Sequence, residues 1–524
     1  MRILYKIANK LFRIVKKILK LLTSRMVIIG VALLLEFCWL AGIMMQLNEK
    51  SVYINYAVTI LSLIAVLSII NNPKMNPGYK LMWAVCILAL PVTGICLYGI
   101  LGHSSVARKF RTHYDTVLLS QGGVLGEEEE TRKKLEEENI LAAGQSSYLT
   151  NYAHYPVYEN TETEYYPLGD VWFEHFIEEL KKAEHYIFME YFIISEGYLW
   201  DTVLEILKEK AAAGVDVRVI YDDFGCVTTL PYQYYKSLQQ MGIKCAAFNQ
   251  FRPVLNVILN NRDHRKIAVI DGHTAFTGGI NLADEYINRK ERFGHWKDTG
   301  VRIDGAGAWG FASQFIQMWK MIGRSLPNED DYYRPRVEIE GTGWCQPFTD
   351  GPFNNPDNPV EDTYLQLIAS AQKMLYITTP YYAVEESMQK ALCIAADAGV
   401  DVRLMVPAIP DKWYVYMVAE TYWGELLEHG VKIYRYTPGF IHAKTFVVDD
   451  DYAVVGTINL DYRSLYLHFE CAVWMYQTPS VAQVRDDFFK TQQISQEITL
   501  EECRSLSFPR RLGRSVLRVF APLM

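Results

Sequence analysis

The sequence carries one long motif twice, and this duplication restricts the possible fold more than any other feature. Counted from a histidine, each copy has lysine at +2, aspartate at +7, glycine at +14 and asparagine at +17. The similarity extends outside the motif, since residues 211–222 resemble residues 395–407 and residues 241–248 resemble residues 429–436. A duplication of this length predicts two similar domains rather than a solenoid of short repeats. The two sets are His264, Lys266, Asp271, Gly278 and Asn281, and His442, Lys444, Asp449, Gly456 and Asn459.

The pattern around the motif predicts the fold class. In each copy, a helical pattern that ends in glycine is followed by a run of β-branched residues, such as VDVRVIYD at 215–222. Helices that alternate with strands indicate an α/β sheet. We therefore expect two similar α/β domains, at residues 151–330 and 331–500, packed side by side with pseudo-twofold symmetry. Half of the 524 residues are hydrophobic, which is enough for both cores and excludes a disordered chain.

The spacing inside the motif predicts one pocket for each histidine and its lysine. Residues two apart on a strand point to the same face, so His264 and Lys266 share a face, as do His442 and Lys444. Each strand then ends at an Asp-Gly or Asp-Asp turn. The glycines at +14 allow the backbone to approach closely, and the asparagines at +17 return a polar amide to the site.

The residue types indicate phosphoryl transfer. Imidazole serves as a nucleophile or a proton donor near neutral pH, and ammonium groups stabilise a phosphoryl group in transfer. No cage of acidic residues for a divalent metal accompanies the motif, and a zinc site would need further ligands at suitable spacing. The nine cysteines form no CxxC pair. We expect metal-free transfer through a phosphohistidine, without a cofactor.

Two simpler explanations compete with this interpretation. A single His-x-Lys on a strand is usually a surface accident. Agreement of two copies at five positions favours a shared site instead. A duplicated fold with one dead site is the other alternative, but both copies are intact.

The N-terminal part predicts attachment to a membrane. Residues 1–25 contain eight Lys or Arg and no acid, at the spacing of a basic amphipathic helix, whereas the rest of the chain carries a net charge of −16. Residues 26–102 include three apolar stretches, 26–47, 52–70 and 81–101, each long enough to cross a bilayer. We expect two or three membrane helices, a polar linker at 103–150, a basic C-terminal segment at 501–524, and a multi-pass protein of the bacterial cell membrane. Bases after the third stretch favour a catalytic body on the cytoplasmic face.

The duplicated H-x-K-x4-D pattern resembles the signature of the phospholipase D superfamily. This resemblance covers most of residues 150–500 and implies two α/β/α sandwich domains. The runs GVDVRVIYDDFG (214–225), WKDTGVRIDG (296–305) and GTINLDYRSLYLHFE (456–470) resemble the bacterial cardiolipin synthases more closely. His468 departs from that family, which more often has asparagine there. Three apolar stretches stand where many members have two.

The resemblance implies a reaction in which two phosphatidylglycerol molecules give cardiolipin and glycerol. It favours His264 as the nucleophile and His442 as the acid and base. The lysines Lys266 and Lys444 and the asparagines Asn281 and Asn459 would hold phosphate oxygens. Asp271 and Asp449 are grouped with the catalytic residues, in a positioning role, and Gly278, Gly456 and Glu470 with the supporting residues. Phosphatidylglycerol, cardiolipin and anionic lipids are the expected partners; the oligomeric state is not predicted.

Other functions remain possible on the sequence. Attack by water on the phosphohistidine would make the protein a phospholipase D, and attack by another alcohol would make a different phospholipid. A membrane-tethered nuclease needs a basic groove, which the charge of −16 beyond residue 25 argues against. A membrane scaffold with a relic site would tolerate loss of either histidine.

Overall fold

The structure is a computed structural model that describes residues 30–31, 33–34, 36–38, 49–102, 111–114, 116–117, 129–250, 260–326, 332–353 and 358–524. The amphipathic helix predicted for residues 1–25 lies outside these residues. Contacts divide the chain into two units, an N-terminal unit whose described residues end at Gly102 and a body from Arg111 onward.

The N-terminal unit is helical. Its helices are α1 (Glu49–Ile70), α2 (Pro77–Ala89) and α3 (Pro91–Leu97), followed by a π-helical turn at Tyr98–Gly102. Pro91 divides the predicted stretch 81–101 into two helices, because proline has no N–H to donate within a helix. In the described part of the chain, no helix has both the length and the hydropathy that a membrane crossing requires. The membrane helices at 26–102 therefore stay a prediction.

The predicted linker at 103–150 is partly a folded element of the body. Its described residues form α4 (Glu129–Glu138) and α5 (Ile140–Ala153). Helix α4 is mostly exposed, as its charges predict, but α5 is packed: Gln145 accepts a hydrogen bond of 3.0 Å from the Trp474 indole. The assignment of residues 140–150 to a polar linker is corrected, because α5 buries Ala142, Ala143, Ser146 and Leu149 together with Gln145.

The first half of the body contains a seven-stranded sheet. Its order is β1-β8-β6-β5-β2-β3-β4; β2, β3 and β4 are parallel, and the other pairs are antiparallel. The strands are β1 (Thr161–Tyr166), β2 (Tyr186–Tyr191), β3 (Asp216–Asp222), β4 (Lys244–Phe248), β5 (Lys266–Ile270), β6 (Thr274–Gly278), β7 (His295–Lys297, outside this sheet) and β8 (Gly300–Gly305).

The second half repeats this topology in an eight-stranded sheet of order β19-β13-β12-β10-β15-β16-β18-β9. Without β19, each strand has a counterpart at the same place in the first sheet, which confirms two similar α/β domains with mixed sheets. The strands are β9 (Trp344–Asp350), β10 (Met374–Thr378), β11 (Tyr382–Ala383), β12 (Asp401–Pro407), β13 (Lys432–Tyr436), β14 (Gly439–Ile441), β15 (Thr445–Val448), β16 (Tyr452–Gly456), β17 (Leu460–Asp461), β18 (Glu470–Tyr476) and β19 (Ser495–Glu497).

Helices cover both faces of the sheets. In β2, Ile187 and Met189 belong to a core cluster with α6 and α7, whereas Phe188 between them stacks on Phe315 of α9 at 4.4 Å. Alternate residues of a strand face opposite sides, so both faces of the sheet are buried. The helices are α6 (Gly169–Lys182), α7 (Tyr198–Ala212), α8 (Tyr234–Gln240), α9 (Ala308–Met321), α10 (Pro359–Ser370), α11 (Glu386–Asp397), α12 (Trp413–Glu428), α13 (Tyr462–Tyr466), α14 (Pro479–Gln493), α15 (Leu500–Arg504) and α16 (Phe508–Val519), with 3₁₀ turns at Asp284–Ile287 and Ala521–Leu523.

Two of the backbone pairings that join the halves lie beside the motif histidines, and a third pairs Tyr158 with Cys345 elsewhere. Strand β7 of the first half runs parallel to β14 of the second, and Asp263 of the first half forms a bridge with Phe469 of the second. Each of these two pairings ends next to a motif histidine of one half and an acidic residue of the other. The two are equivalent when the halves are exchanged.

Candidate active site

His264 is placed by a backbone contact with the other half. It lies two residues before β5, and its N–H donates a hydrogen bond of 2.9 Å to the carbonyl of Phe469. The next residue, Glu470, begins β18, and both of its carboxylate oxygens lie 2.9 Å from Nδ1 of His264. The Thr457 hydroxyl also donates to this carboxylate. Because Nδ1 is engaged, Nε2 is the ring nitrogen available to a substrate.

His442 is placed in the same way with the halves exchanged. Its N–H donates a hydrogen bond of 2.7 Å to the carbonyl of Lys297, the last residue of β7. The following residue, Asp298, places Oδ2 at 2.7 Å from Nδ1 of His442. Each histidine is therefore oriented by a carboxylate from the opposite half.

Asp298 is the functional residue that sequence reasoning missed, although the run WKDTG that contains it was noted. It lies 34 positions after His264, whereas Glu470 lies 28 positions after His442. The unequal spacing hides the equivalence of the two acids. The available signal was an acidic residue beside a predicted strand in each half.

The two lysines lie beside their histidines, as predicted. Lys266 Nζ is 2.5 Å from the carbonyl of His264, and Lys444 Nζ is 2.9 Å from Nδ1 of His442. Burial lowers the pKa of Lys266 to about 8 and, together with the nearby Lys266, the pKa of Lys444 to about 7. Both ammonium groups are thus near their titration point at physiological pH.

The two carboxylates differ in charge. Burial raises the pKa of Asp298 to about 7. Burial also raises the pKa of Glu470, but its contacts with His264 and His468 outweigh burial and hold that pKa below its usual range. Burial lowers the pKa of both His264 and His442, so each ring is neutral. Near pH 7, the first histidine therefore faces an ionised carboxylate, and the second faces one that is partly protonated.

The groups of the two halves form one site. Lys266 of the first half helps to lower the pKa of His442, and Glu470 of the second half partly offsets the lowering of the pKa of Lys266 by burial. Aromatic rings surround the histidines: Phe192 lies 5.0 Å from His264, and Tyr286 lies 5.6 Å from His442, between ring centroids. Such a low-dielectric setting strengthens the interaction of the ammonium groups with a bound anion.

The asparagines and glycines of the motif have mixed roles. The Asn281 amide accepts from the Ile193 N–H at 3.0 Å and donates to the Tyr286 hydroxyl at 2.7 Å, while Asn459 donates to the Ser464 hydroxyl at 3.1 Å. Each amide group has a second hydrogen that can bind a phosphate oxygen.

The glycines act through packing. Gly278 has a φ of 144°, and a Cβ there would lie 2.3 Å from the carbonyl of Thr299; a Cβ at Gly456 would lie 2.4 Å from that of Cys471. Each glycine therefore lets a strand approach the residue that follows Asp298 or Glu470. The glycines therefore support the site indirectly, by allowing this close packing of strands.

The grouping of Asp271 and Asp449 with the catalytic residues is corrected by the structure. The whole of β5 separates Asp271 from Lys266, and its carboxylate accepts hydrogen bonds of 2.7–2.8 Å from the N–H groups of residues 184–186. Asp449 binds the N–H groups of residues 372–374 in the same manner, at 2.6–2.8 Å. Both aspartates bind the backbone where a neighbouring strand, β2 or β10, begins, at the end of β5 or β15 away from the histidines.

We expect Asp271→Asn to lower the free energy of unfolding by about 1.5–3 kcal/mol, the usual contribution of a hydrogen bond to a charged group. Asparagine tolerates the positive φ of 50° at this position, so the change isolates the loss of the carboxylate. Thermal unfolding of the detergent-solubilised chain measures the effect, with the exposed Asp486→Asn as control. Normal unfolding together with lost activity would instead return Asp271 to the catalytic group.

A third histidine lies at the same place. His468 Nδ1 is 3.6 Å from the carboxylate of Glu470, and its ring centroid is 5.5 Å from that of His264. Nitrogen and oxygen atoms of these three residues lie within 4.8 Å of one another.

Comparisons with known proteins agree with this site. A family model described as "Cardiolipin synthase, PLD-like domain" matches residues 176–318 and again residues 364–491, and an N-terminal model described as "Phospholipase_D-nuclease N-terminal" matches residues 60–103. "Cardiolipin synthase 2" of Bacillus anthracis is 34% identical over 458 residues, which cover 86% of this chain and 87% of the relative. The chain belongs to the cardiolipin synthase family. The predicted family and the predicted class, a phosphatidyltransferase, are thereby confirmed.

Other relatives extend the comparison. An uncharacterised protein of Streptococcus mutans is 40% identical over 478 residues, covering 88% of this chain and 99% of that protein. "Cardiolipin synthase" of Halalkalibacterium halodurans is 32% identical over 456 residues, which cover 86% of this chain and 90% of that protein. A phosphatidylserine synthase of Haemophilus influenzae has the same fold, with a TM-score of 0.55 and 17% identity over 72% of this chain and 97% of that one.

Proposed function

We propose that the protein joins two phosphatidylglycerol molecules into cardiolipin and releases glycerol. The observation that carries this proposal is the pair of buried histidines, each oriented by a carboxylate of the opposite half and each beside a lysine, in a chain of the cardiolipin synthase family. Such a site can form and resolve a phosphohistidine without a nucleotide, because the number of phosphodiester bonds does not change.

The electrostatics support His264 as the nucleophile. With Nδ1–H donated to the ionised Glu470, the lone pair of Nε2 attacks the phosphorus of the first lipid. The P–O bond to glycerol breaks as the P–N bond forms. Asp298 is partly protonated near pH 7, and in that form it can donate to Nδ1 of His442 while Nε2 carries the ring proton. His442 Nε2 delivers its proton to the departing glycerol oxygen as Nδ1 takes the proton of Asp298.

The second step reverses these roles. The terminal hydroxyl of the second phosphatidylglycerol attacks the phosphorus, and His442 Nε2 accepts its proton. The P–N bond breaks, which releases cardiolipin and neutral His264. Throughout, Lys266 and Lys444 and the free amide hydrogens of Asn281 and Asn459 neutralise the charge on the phosphate oxygens.

Product analysis tests the reaction. The purified chain is incubated in phosphatidylglycerol micelles with a chelator, beside the double variant His264→Ala/His442→Ala. Cardiolipin and glycerol in equal amounts, made by the wild type alone, support the proposal. Phosphatidic acid as the main product would make the protein a hydrolase, and no lipid turnover by folded protein would contradict both assignments.

Because the two lysines have lowered pKa values, we expect kcat/KM to fall as the pH rises above about 7. A cationic lysine binds the phosphate anion, and this form is lost as pH rises through about 7 for Lys444 and about 8 for Lys266. In Lys266→Arg the guanidinium stays protonated, so the fall above pH 8 should become less steep by about one log unit per pH unit. Rates measured across this range for both proteins test the effect. An unchanged slope would show that the titration of Lys266 does not cause the fall of kcat/KM above pH 8.

The location proposed for the protein is the bacterial cell membrane, with a multi-pass N-terminal region and the body on the cytoplasmic face. The apolar stretches of residues 26–102 and the basic residues 1–25 support this. Helix α16 adds a contact with anionic lipids: Phe508, Leu512 and Val516 are exposed along one stripe four residues apart. Arg514 pairs with Glu420, which fixes the helix to α12.

We expect Leu512→Asp to raise KM for phosphatidylglycerol in mixed micelles roughly fivefold with little change in kcat, since a charge in the apolar stripe opposes burial at the interface. Gln493→Asp adds the same charge to exposed surface on α14 and serves as control. An equal change of KM in both variants would mean that the effect comes from net charge alone.

In inside-out vesicles, protease added outside should cleave the body. Protection of the body there would place it on the other face of the membrane.

A further inference from the structure

His468 has a buried ring that the proposed reaction does not use. Its side chain is only 10% exposed, and among the described residues neither ring nitrogen has a hydrogen-bond partner. Buried polar groups are nearly always paired, so two unpaired ring nitrogens indicate a missing ligand. The nearest acceptor, Glu470 Oε1, lies 3.6 Å from Nδ1.

The surroundings of this ring have the dimensions of a metal site. Donor atoms of His264, His468 and Glu470 lie within 4.8 Å of one another, with separations of 2.9 Å between His264 Nδ1 and Glu470 and 3.6 Å between His468 Nδ1 and Glu470. Donor atoms of tetrahedral zinc at bond lengths near 2.1 Å are about 3.4 Å apart. The observed separations bracket this value.

We infer that His264, His468 and Glu470 bind a zinc-type transition-metal cation that inhibits the enzyme. Two imidazoles and one carboxylate with an open fourth position are a ligand set that zinc adopts in proteins. The Thr457 hydroxyl, which donates to Glu470, would orient the carboxylate from the second layer. Binding takes the Nδ1 lone pair of the neutral His264 ring, and the ring proton moves from Nδ1 to Nε2.

Inhibition follows from the shared ligands and rests on the proposed function. The cation takes both His264 Nδ1 and the carboxylate that orients it. With Nδ1 bound to the metal, the ring carries its proton on Nε2. Nε2 then has no lone pair with which to attack phosphorus, so the phosphohistidine does not form.

A second group of donors provides a matched control. Cys393, Glu425 and His429 also lie within reach of one another. Burial raises the pKa of the Cys393 thiol to about 11, and His429 Nδ1 is 2.7 Å from Asp397, so both would have to give up a proton or a partner to bind a metal. We expect this group to bind more weakly.

The test titrates the full chain in detergent with Co²⁺, whose visible absorption reports tetrahedral ligation, and then displaces it with Zn²⁺. Wild type and His429→Asn should bind one equivalent alike, and His468→Asn should bind at least about tenfold more weakly. Lipid turnover, with each variant referred to its own rate in chelator, should show the same shift in Zn²⁺ inhibition. Unaltered binding in His468→Asn, or loss in His429→Asn, would overturn the inference. Co²⁺ binding without any lipid turnover would keep the metal site and reject the proposed function.

Discussion

Given a phosphatidyl ester of p-nitrophenol, the His442→Ala protein is expected to release one equivalent of nitrophenolate per chain and then stop. Nitrophenolate leaves without a proton, so the first step no longer needs His442 as an acid. The second step still needs a base for the incoming hydroxyl, so the phosphatidyl group stays on His264. His264→Ala should release none, because it has no nucleophile. With phosphatidylglycerol, both variants should lose at least about 10³-fold in rate.

The burst is measured by rapid-mixing absorbance, and the covalent lipid by mass spectrometry of the intact chain. His429→Ala, which changes a partly exposed histidine just after α12, should behave as the wild type. A burst in His264→Ala and none in His442→Ala would exchange the two roles. A burst in neither would reject a phosphohistidine.

The duplicated topology was predictable because it depends on local sequence patterns that recur in both halves. The repeat of strand and turn signals around His264 and His442 required the same order of strands in both halves, and the two sheets have that order. The two-residue period predicted that each histidine and its lysine lie close together, but the histidines lie just before β5 and β15 rather than on them.

The contacts between the two halves could not be predicted from local sequence patterns. Asp298 meets His442 only because β7 pairs with β14, and Glu470 meets His264 only because residue 263 pairs with residue 469. These contacts join positions more than a hundred residues apart, and short strands carry little signal of their partners. The same limit applies to α5, whose buried residues contact parts of the body that the local sequence does not specify.

The repeat also misled the prediction at Asp271 and Asp449. The aspartates were grouped with the catalytic residues in a positioning role, but the strand carries the residue at +7 to its far end. Both aspartates have positive φ, at 50° and 53°, and end a strand while binding the backbone of the next. Their recurrence reflects a repeated turn, which a motif comparison does not distinguish from a repeated site.

Exchange of carboxylates between the halves makes each half incomplete alone. His264 without Glu470 would lack its orienting acid, and His442 without Asp298 would lack its proton partner. The two acids also differ: Glu470 is held ionised, while burial raises the pKa of Asp298 to about 7. A symmetric fold thereby obtains one histidine suited to attack and one suited to proton transfer.

This difference predicts opposite results for two isosteric changes. Glu470→Gln should slow the nitrophenolate burst by between about 10²- and 10⁴-fold, because an amide no longer fixes Nδ1–H on His264. Asp298→Asn should leave the burst rate nearly unchanged, since that leaving group needs no acid. With phosphatidylglycerol, both variants should lose turnover by a similar factor.

Asp304→Asn is the matched control, because Asp304 is a buried carboxylate that contacts Thr274 and Arg302 instead of a histidine. If it slowed the burst as much as Glu470→Gln, the effect would come from a disturbed core. If Asp298→Asn slowed the burst and Glu470→Gln did not, the two roles would be exchanged. His442 would then be the nucleophile and His264 the acid and base. Equal slowing by both would mean that the two halves act as one unit, in which neither histidine has a fixed role.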